Sequence, residues 1–236
     1  MRSKNMLDIK KHRTILFNLI TEIYRSEAGN YLGFKGGTMA HFFYGLDRFS
    51  VDLDFDLLDV KKIDRVSEIL PKILLKFGSM KEQTIKRFTL FYLLSYEKGQ
   101  RNIKIEISKR GSAGSRYEIS NFYGTDVKRL VIEDAFSTKL LACTTRSKIA
   151  FRDFYDVYFY LKKGIVPNEK IILDTTKKNL TIYLNYLMRF IKKNVTNRNI
   201  LQGVGELVDE KQKTWIRNNL KKELVNRLKF LADQVK

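Results

Sequence analysis

Three aspartates, Asp52, Asp54 and Asp56, alternate with Val51, Leu53, Phe55 and Leu57 in the stretch VDLDFDL. A β-strand has a side-chain period of two, so this spacing turns the carboxylates to one face and the apolar residues to the other. Adjacent carboxylates repel each other unless a cation lies between them. A hard, oxygen-liganded ion such as Mg2+ (or Mn2+), which completes its shell with substrate phosphates, is the fitting partner for Asp52 and Asp54. Upstream stands Lys35-Gly36-Gly37-Thr38. The glycines permit backbone angles and close approaches that a Cβ would block. Thr38 suits the N-cap of a helix spelled MAHFFYGL, whose first N–H groups and dipole would favour a phosphate. An acidic, solvent-facing edge strand after a chance Gly-Gly turn is the alternative reading of the same residues.

The elements that must position these groups follow from hydrophobic spacing. Residues 12–27 place Ile15, Leu16, Leu19, Ile20 and Ile23 on one helical face, and a short strand then delivers Lys35 to the glycine turn. Residues 61–77 return to a helical period, with a kink or break expected near Leu70 because Pro71 follows it. Residues 83–96 read as one strand, rich in aromatic and β-branched side chains. In the next, NIKIEIS, Ile103, Ile105 and Ile107 share one face, with Lys104, Glu106 and Ser108 on the other. Residues 111–128 begin loop-like and are otherwise indeterminate. A helix starts at Ile132, with Ala135, Phe136, Leu140 and Cys143 as its apolar stripe and Lys139 and Arg146 on a more polar face. Arg152, Asp153 and Asp156 open another helix, where Asp153 and Asp156 are surface neighbours and, as first-turn acids, also suit the dipole. Beyond Gly164 the chain reads as helices over roughly 168–194, 196–209 and 212–232.

The Gly-Gly-Thr turn, Arg48, Ser50 and the Asp52-x-Asp54 strand resemble the active-site hairpin of the AbiEii/AbiGii toxin family of nucleotidyltransferases, which includes MenT-like members. The family pattern continues downstream in Lys139, Arg146, Arg152, Asp153 and Asp156. The resemblance implies an α/β fold with a small mixed sheet flanked by helices and a helical C-terminal region. It divides the chain into a catalytic domain over 1–164 and a helical region over 165–236. It implies an NTP substrate, with Asp52, Asp54, Lys139 and Asp153 catalytic. Gly36, Gly37, Thr38, Ser50, Arg146, Arg152 and Asp156 would contact the nucleotide, and Glu106 is the candidate for the third carboxylate that many nucleotidyltransferases carry on a neighbouring strand. A surface Lys-Glu pair on a half-exposed strand would look the same. The implied role is a toxin of a toxin–antitoxin or abortive-infection pair, with its antitoxin encoded nearby.

Composition bears on the partner. Lys+Arg 45 against Asp+Glu 26 gives a net charge of +19, a field that gathers polyanions, nucleic acid and nucleotides first and an anionic membrane surface second. Together with the resemblance to MenT-like members, it implies RNA such as tRNA as the acceptor. The Lys-rich composition of an A/T-biased genome would produce the same charge. A protein or small-molecule acceptor and a non-catalytic RNA-binding module are the alternatives. The single cysteine, Cys143, excludes an intramolecular disulfide, and two histidines make a His-rich metal site improbable. The N-terminal stretch lacks an apolar leader, and no window reaches the about 18–20 apolar residues of a membrane span. A cytoplasmic protein without a membrane partner is expected.

Overall fold

The computed structural model describes residues 8–110 and 114–235. The chain forms two compact units. One comprises the chain up to Tyr44 together with Phe49–Leu130, and the other comprises Gly45–Arg48 together with the chain from Val131 onward.

The first unit is a seven-stranded mixed sheet with helices against it, as expected for the α/β class. Helix α1 (Ile9–Arg25) starts where the Asp8 side chain accepts from the Lys11 N–H at 3.0 Å, and it buries His12, Leu16, Leu19, Ile20 and Ile23. Strand β1 (Leu32–Lys35) runs directly into α2 (Gly36–Tyr44), and β2 (Leu53–Leu57) carries the alternating acids. Helix α3 (Ile63–Leu74) is followed by β3 (Ser79–Ile85), β4 (Thr89–Ser95), β5 (Ile103–Ser108), β6 (Tyr117–Phe122) and β7 (Thr125–Leu130). The strand order is β3-β4-β5-β2-β1-β7-β6. Thus β2 lies between β1, to which it is antiparallel, and β5, to which it is parallel. Leu53, Phe55, Ile103, Ile105 and Ile107 are buried on the core face, and the acids take the other.

Two expectations in this unit are corrected, and one stretch left open gains its elements. Helix α3 continues through Pro71 to Leu74, because the buried stripe Val66, Leu70, Ile73 and Leu74 holds it to the core despite the lost backbone donor. The single strand expected over 83–96 is the hairpin β3–β4. Its first strand is mostly exposed, so it lacks the apolar alternation that would have marked it. The indeterminate stretch 111–128 holds the hairpin β6–β7, whose turn residues Tyr123 and Gly124 both have positive φ, as a primed two-residue turn requires. Residues 111–113 lie outside the described residues.

The second unit is helical: α4 (Ile132–Thr145), α5 (Phe151–Lys162), α6 (Glu169–Thr176), α7 (Leu180–Asn194), α8 (Glu210–Trp215) and α9 (Lys221–Gln234). A π-helical turn, Ile216–Leu220, joins the last two. Leu184, Leu187, Leu224 and Leu228 fill its core with the aromatic rings of Phe154 and Tyr160. The helix expected over 168–194 divides where Lys177 takes the left-handed conformation (φ 58) and Asn179 caps α7. The helix expected over 196–209 is instead a series of turns ending in a short 3-10 helix, Gly205–Leu207. Among the described residues no helix is long and apolar enough to cross a membrane.

A left-handed lysine at an exposed helix end is a small cost that glycine avoids. Lys177→Gly is therefore expected to stabilise the protein by about 0.5–1 kcal/mol, read from the urea unfolding midpoint.

Candidate active site

The sequence of β1, the glycine turn and β2 builds an acidic face at the centre of the sheet. Register pairs Lys35 with Asp54 on one side and Asp54 with Glu106 on the other. Like charges directly opposite each other on neighbouring strands are unfavourable. Here Lys104 relieves them. Its ammonium donates to Glu106 at 2.9 Å and lies 3.6 Å from Asp52 Oδ2. Burial would lower the Lys104 pKa, but the carboxylates of Asp52, Asp54 and Glu106 together raise it above the ordinary lysine value. A cation is thus already drawn to the place where carboxylates concentrate, which is the electrostatic condition for a divalent metal. Among the described residues no three His, Cys, Asp or Glu side chains form a complete metal site. The donor set fits an ion that takes two carboxylates and the rest of its shell from phosphate and water.

Asp56 differs from its two neighbours. Lys35 donates to it at 2.5 Å and the Tyr117 hydroxyl at 2.5 Å, so its oxygens are committed within the fold. Tyr117 reaches it over Gly33, where a Cβ would overlap the ring.

Gly36 is required twice over. Its φ is +83, and a Cβ there would lie 2.9 Å from the Asp54 Cβ and overlap the carboxylate. Thr38 is a correction: it is not the N-cap, because α2 begins at Gly36. Its buried hydroxyl instead donates to the Asp52 carbonyl, fixing the backbone from which that carboxylate projects. His12, unassigned from sequence, does the same one residue earlier. Its Nε2 donates to the Val51 carbonyl at 3.0 Å, leaving Nδ1 to accept from the Tyr96 hydroxyl at 2.9 Å. Burial is the main influence on this imidazole and lowers its pKa, which keeps it neutral. Its place in the apolar stripe of α1 was the only sign of it in the sequence. Ser50 is buried in the loop before Asp52, and Gly37 is buried in the first turn of α2.

The second unit gathers the remaining predicted residues around α4 and α5. Asp153 and Asp156 are fully buried rather than surface neighbours. Arg48 grips Asp156 with two hydrogen bonds, Nε to Oδ1 at 2.6 Å and Nη2 to Oδ2 at 2.7 Å. Lys139 is 2.8 Å from Asp156 and 3.1 Å from Asp153, and only 12% of its side chain is exposed, so the polar face expected for it is a buried one. Arg146, the C-cap residue of α4 and 43% exposed, brings Nε within 2.7 Å of Asp153 Oδ2 without hydrogen-bond alignment. Arg152 is half-buried and has no ion pair among the described residues. Burial would raise the Asp156 pKa, but Arg48 and Lys139 outweigh it and hold the carboxyl down at about 2. Lys139 stays charged: burial opposes this, and Asp156 and Asp153 more than offset it. Cys143 is buried beside this network with its thiol pKa pushed well up, chiefly by burial, and is no nucleophile.

A family model described as nucleotidyl transferase AbiEii toxin, type IV TA system, matches residues 18–229. The fold is similar to that of JHP933 from Helicobacter pylori, with a TM-score of 0.60 and 20% identity, covering 98% of this chain and 95% of that one. It is also similar to a crystal structure described as a putative nucleotidyltransferase from H. pylori, with a TM-score of 0.60 and 20% identity over 96% of both chains. MenT4, a nucleotidyltransferase toxin from Mycobacterium tuberculosis H37Rv, has a TM-score of 0.58 at 15% identity, covering 96% of this chain and 84% of that one. No curated protein sequence matches the chain.

Two stability measurements test this geometry. Asp156→Ala leaves Arg48 and Lys139 with an uncompensated buried charge and should cost about 3–5 kcal/mol at pH 7 in urea unfolding. Because the folded-state pKa lies below the unfolded one, Asp156 contributes fully above about pH 4 and its contribution is lost as pH falls through about 2. Wild type should lose on the order of 2 kcal/mol over that window through this group, and Asp156→Ala should lack that component. His12→Leu leaves the Val51 carbonyl without its donor and should cost about 1–3 kcal/mol, whereas His12→Gln, which retains a donor, should recover part of it.

Proposed function

Because the chain belongs to the nucleotidyl transferase AbiEii toxin family of type IV toxin–antitoxin systems, we propose that it transfers a nucleoside monophosphate from an NTP to a hydroxyl of an RNA acceptor such as a tRNA. The observation that carries this reading is the acidic sheet face, where Asp52, Asp54 and Glu106 attend the Lys104 ammonium beside the glycine turn. The acceptor oxygen bonds to the α-phosphorus, the bond to the bridging oxygen of the β-phosphate breaks, and pyrophosphate leaves. In this reading Glu106 takes the proton of the acceptor hydroxyl on a carboxylate oxygen.

Asp52 and Asp54 are the residues that would hold Mg2+ or Mn2+, which when bound neutralises phosphate oxygens and acidifies the attacking hydroxyl. Gly36 and Gly37 leave the first N–H groups of α2 open to phosphate oxygens, and Ser50 adds a hydroxyl to the same path. Thr38 and His12 act through the backbone, holding Val51 and Asp52 still. The network of Arg48, Lys139 and Arg146 against Asp153 and Asp156 sets three cations against two carboxylates, an excess of one positive charge. We assign triphosphate neutralisation to Lys139 and to Arg146, its more exposed member, assisted by Arg152. Asp153 and Asp156 orient these cations. The charge of +19 supports a polyanionic acceptor. Both NTP and tRNA are cytoplasmic, and the family implies a cognate antitoxin.

Incubation with each α-labelled NTP and total tRNA or protein tests the reading, and label is expected in RNA. Label in protein or a small molecule instead would overturn the acceptor. Asp52→Ala and Asp54→Ala should each lower transfer at least about a hundredfold, since metal-assisted charge stabilisation is worth several kcal/mol. Both should also abolish growth arrest in cells, and undiminished toxicity of Asp52→Ala would refute the enzymatic reading.

A further inference from the structure

We propose that the β3–β4 turn and the end of β5 form a stacking platform for single-stranded RNA. Phe88, at the tip of the turn, is 40% exposed. The Arg87 guanidinium lies 4.9 Å from its centroid and that of Arg110 lies 4.4 Å away. Next to it the Lys86 ammonium stands 4.4 Å from the Phe91 ring. Cations held against aromatic faces offer in one place a surface for bases to stack on and charge for the phosphates between them.

Ion pairing does not account for these cations. Residues 83–96 and 107–110 contain Lys86, Arg87, Lys109 and Arg110 and no Asp or Glu. Among the described residues none of the four makes an ion pair. The tip is also held in shape. The Lys86 N–H donates to the Thr89 carbonyl at 2.9 Å and closes the turn, and the Lys109 N–H donates to the Phe88 carbonyl at 2.8 Å and fastens the turn to β5. A platform that is ordered before binding loses little entropy on taking a ligand.

Its position says what the ligand is for. Phe91 stands opposite Glu106 in the β4–β5 register, and Glu106 stands opposite Asp54 in the β5–β2 register. Phe91 and the acidic residues therefore share one face of the sheet, and Phe88, one residue before β4, adjoins it at the turn through its contact with Arg110. A strand whose bases stack on Phe88, Phe91 and the arginines lies alongside the carboxylates. That the platform serves the acceptor strand rests on the RNA reading above. Stacking requires unpaired bases, so the ligand is a single-stranded segment or end rather than a duplex.

Fluorescence anisotropy with a short, unstructured, end-labelled oligoribonucleotide measures the platform directly. Arg87→Glu/Arg110→Glu, checked for native circular dichroism, should weaken binding at least about tenfold. It should also flatten the slope of log affinity against log salt by about 1.4, from two lost phosphate contacts at about 0.7 each. Phe88→Ala should weaken binding at least about fivefold with an unchanged salt slope. Equal binding by wild type and these variants, or no binding by wild type, overturns the proposal. So does capture by anionic phospholipid vesicles without oligonucleotide binding, which would make the tip a membrane contact. Label transfer separates the two readings. If wild type labels RNA and the charge-reversed variant does so with unchanged KM for RNA, the platform is wrong and the transferase reading stands. If wild type labels no RNA while the variants still lose oligonucleotide binding, the platform stands and the RNA acceptor falls.

Discussion

Carboxylates fixed side by side on adjacent strands repel each other, and the first unit is built so that they cannot move apart. The parallel register of β2 and β5 sets Asp54 against Glu106, and the antiparallel register of β1 and β2 brings Lys35 to the other side of Asp54. Backbone hydrogen bonds fix these positions far more firmly than side-chain charge can disturb them. The repulsion is therefore relieved by a neighbouring cation. Lys104 provides that relief in the protein alone. Asp56, by contrast, is paired with Lys35 and accepts from the Tyr117 hydroxyl, so its carboxylate serves the fold.

The second unit meets the opposite problem, since its charges are buried rather than crowded. Removing Asp153 and Asp156 from water is costly unless each is paired and hydrogen-bonded. Arg48 satisfies both oxygens of Asp156, while Lys139 joins the two carboxylates. Such an arrangement fixes the position of each group more than it adds stability. The short segment Gly45–Arg48, which belongs to the second unit, carries this guanidinium along with Asp47, whose carboxylate accepts from Tyr155.

Some features are legible in the chain itself. The alternation of Asp52, Asp54 and Asp56, the Ile103-Ile105-Ile107 face that leaves Glu106 opposite it, the glycine turn and the stripes of α1 and α4 are all short-range patterns. A periodic side-chain sequence can bury its apolar face in only one way. Other features carry no such mark. Strand β3 is an exposed edge without alternation, and β6 and β7 meet at a turn led by tyrosine, where asparagine would have announced it.

By itself, then, the sequence determined which residues share a face and which residue types could do chemistry, because both depend on neighbours within a few positions. Tertiary structure decided the rest: that Asp54 faces Glu106, that Asp56 is occupied, that His12 and Thr38 hold the backbone of Val51 and Asp52, and that Arg48 answers Asp156. Each of these joins residues distant in the chain, and no local period encodes such a meeting. It follows from which strands become neighbours and which charges are buried together, and that choice is made only when the whole core packs.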